Sequence, residues 1–160
     1  MMSVEKVRAY FAGYGIENRV LEFHSSSATV ELAAIAVGVE PARIAKTLSF
    51  SVDDVPVLIV TAGDARISNP KFRARFHQKA KMLSRDEVAD QIGHHVGGVC
   101  PFAIPESVKV YLDISLKRFQ TVFPAAGSDN IAIELTLDEL EKYSRFSDWV
   151  DVCKDWEDAV

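Results

Sequence analysis

The sequence lacks the features that mark membrane, secreted or disulfide-stabilised proteins. No apolar run reaches the roughly 18 residues that a membrane-spanning helix needs, and the opening segment MMSVEKVRAY has no apolar core of a secretory signal. Two cysteines, Cys100 and Cys153, lie far apart and form no CxxC pair, which favours free thiols in a reducing compartment. No repeat, linker or low-complexity stretch interrupts the chain. These absences predict a cytoplasmic protein that does not associate with membranes.

Net positive charge is also missing. The formal net charge is −5 at pH 7, whereas phosphate binding needs a basic surface, so we expect no DNA partner. The charge is uneven, because the stretch from Asp64 to Arg85 has Asp64 as its single acid among many basic residues, and acidic residues dominate from Asp138 onward. This split allows a local phosphate-facing patch, and it equally fits a solvated helix face beside an acidic tail. In that tail Trp149 and Trp156 have a spacing that predicts one shared helix face.

Enough apolar material is present for one domain, since 48% of the 160 residues are hydrophobic and 26% are charged. Apolar residues recur at helical spacing from Val4 to Tyr14 and alternate at strand spacing over Thr47–Val52. A continuous apolar run, Val55–Ala62, predicts a buried strand that a turn at Asp53-Asp54 joins to the preceding strand. Strands and short helices alternate without a regular βαβ repeat, so we predict one mixed α/β (α+β) domain over residues 1–160.

Further elements are predicted from end signals and from alternation. A second helix follows the serine run and stops at Gly38. Asn69 followed by Pro70 is an N-cap and first-turn pair for a helix that carries the basic cluster. Capping boxes begin at Ser84 and Thr136. The remaining predicted strands are Arg19–His24, Val108–Asp113, Thr121–Phe123 and Ile131–Leu135.

A glycine-containing loop and one lysine are the most unusual features of the sequence. In the loop Val96–Phe102, the adjacent Gly97 and Gly98 allow backbone N–H groups to approach a ligand closely, and Pro101 stiffens the exit. Such a loop can present donors to an oxyanion or a phosphate, although an ordinary tight turn has the same signature. Lys46 enters a strand between apolar neighbours, where a lysine either reaches the surface or points a fixed positive charge into a pocket.

Both features belong to an ordered series of segments. The series consists of His24, Thr29-Val30-Glu31-Leu32-Ala33-Ala34, Gly38-Val39, Ile44-Ala45-Lys46-Thr47-Leu48, Val57–Thr61, Gly63-Asp64 and Val96-Gly97-Gly98-Val99-Cys100-Pro101-Phe102. In order and spacing, this set closely resembles the YbaK/EbsC family of aminoacyl-tRNA deacylases, which includes the editing domain inserted in bacterial prolyl-tRNA synthetases. The resemblance runs from about Val4 to about Leu140. It implies a curved, barrel-like mixed sheet flanked by short helices, and hydrolysis of the ester that joins a mischarged amino acid to the tRNA 3′ end, with no cofactor and no metal.

The resemblance also implies which residues form the site. Lys46 corresponds to the characteristic lysine of the family, and Gly97-Gly98 to its glycine loop beside the aminoacyl group. Since ester hydrolysis needs preorganised donors for a developing negative charge, we expect the N–H groups around Gly98 and Val99 to supply them. We expect Lys46 to hold a terminal phosphate or orient the ester rather than act as a base, because the pKa of lysine is ordinarily about 10.4. The predicted catalytic residues are Lys46, Gly98 and Val99; the predicted substrate-binding residues are Thr29, Phe50, Gly97, Cys100, Pro101, Phe102, Gly127 and Ser128; and the predicted tRNA phosphate contacts are Lys71, Arg73 and Arg75.

The substrate implied by the resemblance is tRNA-Pro that carries alanine, cysteine or serine, with prolyl-tRNA synthetase as a further partner. A synthetase pocket separates amino acids that differ by one methylene only ~10–200-fold, so a second, hydrolytic sieve has a role. This chain departs from the family at two positions. Cys100 stands where many members have serine, and Ala132 stands where some members have an acidic or polar residue. The amino acid that is removed therefore stays open.

Other interpretations of the same residues remain. Cys100 is a possible nucleophile with His77, His94 or His95 as its base. Cys100, His94 and His95 are also a possible metal site, although their spacing matches no common zinc pattern. A non-catalytic module of the same fold that binds tRNA or a synthetase is the main alternative function. Hydrolysis of a small non-tRNA ester is a third candidate, which the basic stretch Lys71–Lys81 argues against.

Overall fold

The computed structural model describes residues 3–23 and 29–157, and His24, a member of the series above, lies outside them. No helix among the described residues has the length and apolarity to cross a bilayer. The helices are α1 (Ser3–Ala12), α2 (Val30–Val37), α3 (Asn69–Phe76), α4 (Arg85–Gln91) and α5 (Leu137–Ser144). The strands are β1 (Val20–Glu22), β2 (Ile44–Val52), β3 (Val55–Ala62), β4 (Arg66–Ile67), β5 (Lys109–Asp113), β6 (Thr121–Pro124), β7 (Ile131–Ile133), β8 (Leu135–Thr136), β9 (Asp148–Val150) and β10 (Cys153–Lys154).

The strands form a mixed, curled sheet. Six of them lie in the order β8-β6-β2-β3-β5-β9, and β1-β7 and β4-β10 form two short antiparallel pairs. β2 and β3 make the predicted hairpin, whose turn places Asp53 and Asp54 at φ of 52° and 62°. β3 runs parallel to β5, and β5 runs parallel to β9. A bridge between Ala125 and Ala132 carries the β1-β7 pair onto the end of β6, so the sheet curls into a half-barrel. The predicted curved, mixed sheet is confirmed.

The hydrophobic core surrounds β3. The side chains of Leu58–Val60 are fully buried, as expected for an apolar run that is covered on both faces of a sheet. α3 packs Phe72 against Phe50, with ring centroids 5.1 Å apart. α1 packs Phe11 against Phe102, with centroids 4.9 Å apart. Burial of these aromatic rings supplies much of the driving force for folding and fixes the segments that carry the candidate site.

Most helix ends lie where the sequence signals place them. Thr29 caps α2, because its hydroxyl oxygen accepts a backbone N–H from the first turn at 3.1 Å. Gly38 ends the same helix in the left-handed region, at φ 83°. Both predicted capping boxes form, at Ser84 for α4 and at Thr136 for α5. Local side-chain to backbone hydrogen bonds therefore determine these boundaries.

Three predictions about elements are wrong in detail. The N-cap of α3 is Ser68 rather than Asn69, because the Ser68 hydroxyl reaches the free N–H of the first turn while Asn69 is already helical. The predicted strand Ile131–Leu135 divides into β7 and β8, because β7 pairs with β1 whereas β8 pairs with β6. Trp149 and Trp156 share no helix face. Trp149 lies in β9, which pairs with β5, and Trp156 follows β10.

Candidate active site

A cleft of about 310 Å³ opens between β2, α2, the glycine loop and the turn that follows β6. Its walls are mostly apolar, with a few converging polar groups, which is the usual composition of small-molecule sites. The lining residues are Phe23, Thr29, Val30, Ala33, Val37, Ile44–Ser49, Met82, Leu83, Val88, Val96, Gly97, Val99, Phe123, Ala125, Ser128, Asp129, Ile131 and Ala132. Because the volume is near the lower end of the range for ligand pockets, about 300 to 1,000 Å³, the cleft suits a small chemical group.

Lys46 lies near the start of β2, opposite Thr61 of β3, and lines the cleft with a half-buried side chain. Its ammonium group has no hydrogen-bond or ion-pair partner among residues 3–23 and 29–157. Burial lowers the pKa of Lys46; nearby Arg66 lowers it further, whereas Asp64 and Glu31 oppose the shift. A partly desolvated cation without a paired carboxylate attracts phosphate or ester oxygens more strongly than a fully solvated lysine.

The glycine loop brings backbone N–H donors to the cleft. Gly97 adopts φ 99°, a conformation that favours glycine. The Gly98 N–H is already used, because it donates to the His95 carbonyl oxygen at 3.0 Å, and Gly98 does not line the cleft. A Cβ at Gly98 would lie 2.6 Å from the Gly127 carbonyl oxygen, so only glycine fits. Val99 lines the cleft, and its N–H has no acceptor in the described part of the chain.

Hydrogen bonds hold both ends of the glycine loop. The Nε2 atom of His94 lies 2.8 Å from the Phe102 carbonyl oxygen. Since a carbonyl only accepts, Nε2 carries the proton, and Nδ1 is a buried acceptor without a partner among the described residues. The Gly93 carbonyl oxygen accepts from Ser3 Oγ at 3.1 Å and from Lys6 Nζ at 3.0 Å. The loop is thus closed on itself and tied to α1, and burial lowers the pKa of His94, which keeps its ring neutral.

Comparison with known sequences places the chain that forms this cleft in a family. A model of the aminoacyl-tRNA editing domain matches residues 24–143, a segment that contains both Lys46 and the glycine loop. The chain belongs to the aminoacyl-tRNA editing domain family. The YbaK-type resemblance of the ordered sequence segments is therefore confirmed.

Relatives of this editing domain include whole proteins and parts of larger enzymes. It is 57% identical over 157 residues to the uncharacterized protein YwhH of Bacillus subtilis, covering 98% of this chain and 100% of that one. It is 31% identical over 100 residues to proline–tRNA ligase of Bacillus pumilus, covering 62% of this chain but 18% of the ligase. It spans 16% to 23% of several other bacterial proline–tRNA ligases. A solved structure, described as a candidate trans-editing enzyme for prolyl-tRNA synthetase, superposes with a TM-score of 0.85 at 25% identity, over 95% of this chain and 97% of the other.

Cys100, a residue of the glycine loop, is buried and does not line the cleft. Its Sγ atom lies 3.6 Å from Nε2 of His94, but that nitrogen already donates to the Phe102 carbonyl oxygen and cannot take the thiol proton. Burial raises the pKa of Cys100 to about 12, so the thiol stays protonated at neutral pH. In the described ranges, no three His, Cys, Asp or Glu side chains are grouped as for a metal ion. The geometry therefore opposes a Cys–His nucleophile in this editing domain.

Five of the predicted catalytic and substrate-binding residues meet at the cleft. They are Lys46, Thr29, Gly97, Val99 and Ser128. The Ser128 hydroxyl is engaged in a hydrogen bond to Asn130 Oδ1 at 2.6 Å. The six that do not line the cleft are Phe50, Gly98, Cys100, Pro101, Phe102 and Gly127, and all six are buried. Such buried residues of the editing domain act on a ligand only through the walls that they support.

The predicted phosphate contacts lie on α3, outside the cleft lining. Lys71 Nζ lies 3.1 Å from a carboxylate oxygen of Asp151, and Arg75 lies 3.0 Å from one of Asp148. Arg73 is exposed and makes no ion pair within the described part of the chain. The basic stretch and the acidic C-terminal segment thus partly neutralise each other, and Arg73 is the cation of this set with the most freedom to meet a phosphate.

Thr47, Val88 and Asp129 also line the cleft of the editing domain, although the sequence did not single them out. Alternation along β2 suggested that Thr47 and Ser49 face solvent, but Ser49 is buried and the Thr47 hydroxyl oxygen is inaccessible. The predicted alternation of burial is therefore wrong for this part of β2, where Thr47 and Leu48 are both half-buried and Ser49 is buried. Val88 had a usable signal, since it lies on the apolar face of a capped helix.

Proposed function

We propose that this protein is a trans-editing hydrolase that cleaves the ester of a mischarged aminoacyl-tRNA, with tRNA-Pro carrying alanine, cysteine or serine as its substrate. The observation that carries the proposal is that Lys46 and the Val99 N–H, neither of which has a partner among the described residues, line one cleft. Family membership and similarity to a candidate trans-editing enzyme support the same reaction. The partners proposed with it are the acceptor end of the mischarged tRNA and prolyl-tRNA synthetase, and the proposed location is the cytoplasm.

The proposed reaction depends on the placement of charge rather than on a side-chain nucleophile. Water attacks the ester carbonyl carbon and the carbonyl oxygen becomes negative. The ester C–O bond then breaks as the proton released by the water passes to the ribose oxygen. The Val99 N–H donates to the negative oxygen, and loss of one such donor typically costs ~10²–10³ in rate. Lys46 holds a terminal phosphate or an ester oxygen, so its positive charge also stabilises the transition state.

The apolar wall of the cleft supports a small, neutral amino-acid side chain as the group that is recognised. Val30, Ala33 and Val37 of α2 and Ala132 of β7 contribute this wall. Burying a charged side chain there without a partner is costly, whereas a small neutral group loses little water. Ala132 presents only a methyl group, so selection at this wall relies on size.

The test is release of the amino acid from tRNA-Pro charged separately with alanine, cysteine, serine or proline. We expect wild-type protein to release at least one of the first three well above the buffer rate while it spares proline. The four esters share one tRNA, so differences among them report on the amino acid alone.

Two outcomes would contradict the proposal. Tight binding of charged tRNA without release of any amino acid would establish a non-catalytic module instead. Release of all four amino acids at equal rates would show an esterase without editing selectivity.

A further inference from the structure

The edge of β2 that faces the cleft is open at Thr47. β6 pairs with β2 only at the first two residues of β2, and the chain then turns away to form a bridge with β7 through Ala125. Further along β2, Ser49 and Ser51 form hydrogen bonds with the segment 81–83. Thr47 lies between these two sets of bonds, so no strand of the described ranges covers its outer edge.

The hydrogen bonds of its neighbours determine where the Thr47 main chain points. In an antiparallel pair, the N–H and C=O of one residue point to the same side, and the side alternates along the strand. The Ser49 carbonyl oxygen accepts from the Leu83 N–H at 3.1 Å, and the Ser51 N–H donates to the Lys81 carbonyl oxygen at 2.9 Å, both on the edge away from β3. The N–H and C=O of Thr47 therefore also point away from β3, toward the gap at the cleft.

These main-chain groups of Thr47 have no partner in the part of the chain that the structure describes. Among residues 3–23 and 29–157, neither the N–H nor the C=O forms a hydrogen bond, and the buried hydroxyl oxygen of Thr47 is also unpaired. Native proteins pair nearly all buried polar groups, so main-chain groups that face a cleft are left for water or a ligand to pair. A ligand that carries one donor and one acceptor at strand-like spacing would satisfy both main-chain groups.

We propose that Thr47 is the subsite for the amino-acid moiety of the substrate, which binds like one residue of an added strand. The inference rests on the proposed function. The α-ammonium group donates to the Thr47 carbonyl oxygen, and the Thr47 N–H donates to the ester carbonyl oxygen, as in a hydrogen-bonded pair of an antiparallel sheet. Asp129 is an acidic residue that lines the same cleft.

A subsite of this kind selects for a free α-amino group. An ammonium ion in an apolar cleft needs acceptors, and hydrogen bonds to charged groups are the stronger ones. A ligand without the amino group leaves the Thr47 carbonyl oxygen unpaired, and sites built to pair a polar substrate group discriminate strongly against analogues that lack it. Esters of acids that lack the α-amino group should therefore be poor ligands, whatever their side chain.

Two amide-linked analogues of the acylated terminal nucleoside test the subsite without turnover. They are 3′-(L-alanylamino)-3′-deoxyadenosine and its propionyl counterpart, which lacks only the amino group. NMR titration of wild-type protein gives both affinities, and amide hydrogen exchange reports on Thr47. Ser51 is the internal control, because its N–H lies on the same edge and is already bonded to Lys81. We expect the alanyl analogue to bind about tenfold more tightly and to slow exchange at Thr47 but not at Ser51.

The outcomes separate this inference from the proposed function. Equal affinities of the two analogues, or unchanged exchange at Thr47 when the alanyl analogue is saturating, would overturn the subsite. If the alanyl analogue still shifts the Gly97 and Val99 resonances in that case, the proposed function survives. Failure of the alanyl analogue to bind would overturn both.

Discussion

Gly98 leaves no room for a side chain, because a Cβ there would lie 2.6 Å from the Gly127 carbonyl oxygen. At the scale of single residues, we therefore expect Gly98→Ala to displace the loop and with it the Val99 N–H. Because small misplacements of catalytic groups are costly, kcat/KM for amino-acid release should fall by on the order of 10²-fold. Initial rates of release check this expectation, and a thermal melt shows that the variant is folded.

Gly13→Ala is the matched control for that substitution. A Cβ at Gly13 would meet the Tyr10 carbonyl oxygen at 3.4 Å, which is an ordinary contact, and no left-handed φ is required. This variant should keep wild-type activity. Activity of a folded Gly98→Ala variant equal to that of Gly13→Ala would contradict the role of the loop.

The positive charge of Lys46 should be lost at a lower pH than that of an ordinary lysine, because burial lowers its pKa. The ammonium exists below its pKa, so activity that depends on it should decline as pH rises, starting below about 10.4. Lys46→Arg keeps the charge to much higher pH, and we expect its alkaline decline to move upward or disappear. The measurement is the pH profile of kcat/KM after subtraction of hydroxide-catalysed hydrolysis. If kcat/KM declines at high pH in the same way for wild-type protein and Lys46→Arg, the activity does not depend on the Lys46 ammonium group.

The sequence was enough to identify Lys46 and the glycine loop, but not the backbone groups that are available to a ligand. Lys46 among apolar neighbours and a glycine pair are visible as compositional anomalies. The Gly98 N–H donates to the His95 carbonyl oxygen because of how the turn closes, and this leaves the Val99 N–H rather than the Gly98 N–H available to a ligand. The open edge at Thr47 depends on where β6 leaves β2, which no local pattern encodes.

At the scale of elements, α3 and the C-terminal segment compensate each other's charge. Lys71 is paired with Asp151, whereas Arg73 makes no ion pair in the described ranges. We expect Arg73→Ala to weaken tRNA binding and to reduce the slope of log K against log salt by about 0.7 to 0.9. Lys71→Ala should change the slope less, because its charge is already balanced. Binding titrations over a range of salt concentrations measure both slopes. If neither variant changes the affinity or the slope, the tRNA does not contact α3.

An ion pair joins the segment before β1 to α5. Two nitrogens of Arg19 lie 2.5 Å and 2.9 Å from the carboxylate oxygens of Glu139, and this contact is the largest cause that lowers the pKa of Glu139 to about 2. Because the folded pKa lies below the unfolded value of about 4.3, the stabilisation is present above that pH and is lost as pH falls toward 2.

Glu139→Gln tests this pair while it keeps the capping-box hydrogen bond at Thr136. We expect a loss of about 1 kcal/mol in the free energy of unfolding at pH 7, the size usual for a partly exposed pair. The difference should vanish near pH 2. Urea unfolding at the two pH values measures it, and a difference that is independent of pH would assign the effect to packing.

Local signals predicted the helix ends well and the strand partners poorly. The capping residues Thr29, Ser84 and Thr136 act within one turn, so sequence spacing is enough to find them. Strand pairing depends on distant segments. Ile131–Leu135 divides because its two halves meet different partners, and Trp149 enters a strand because the edge of β5 is available to it.

At the scale of the whole molecule, the cleft is assembled from segments that are far apart in the chain. β2, α2, the loop around Gly97 and the turn that contains Ser128 each contribute a wall. The ordered series of motifs predicted the family and its curved sheet, because segments that occur in the same order and spacing imply the same topology. The strand order β8-β6-β2-β3-β5-β9 and the mutual neutralisation of α3 and the C-terminal segment required the folded structure.

The measurement that tests the central claim most directly is the single-turnover release of alanine from Ala-tRNA-Pro by wild-type protein, Lys46→Ala and Lys109→Ala. Lys109 is an exposed lysine of β5 that does not line the cleft, so it controls for the loss of one positive charge. We expect wild-type protein and Lys109→Ala to release alanine at similar rates, well above the buffer rate, and Lys46→Ala to be slower by on the order of 10²-fold with its fold retained. Equal rates for all three folded proteins, or no release by the wild type above the buffer rate, would contradict the account.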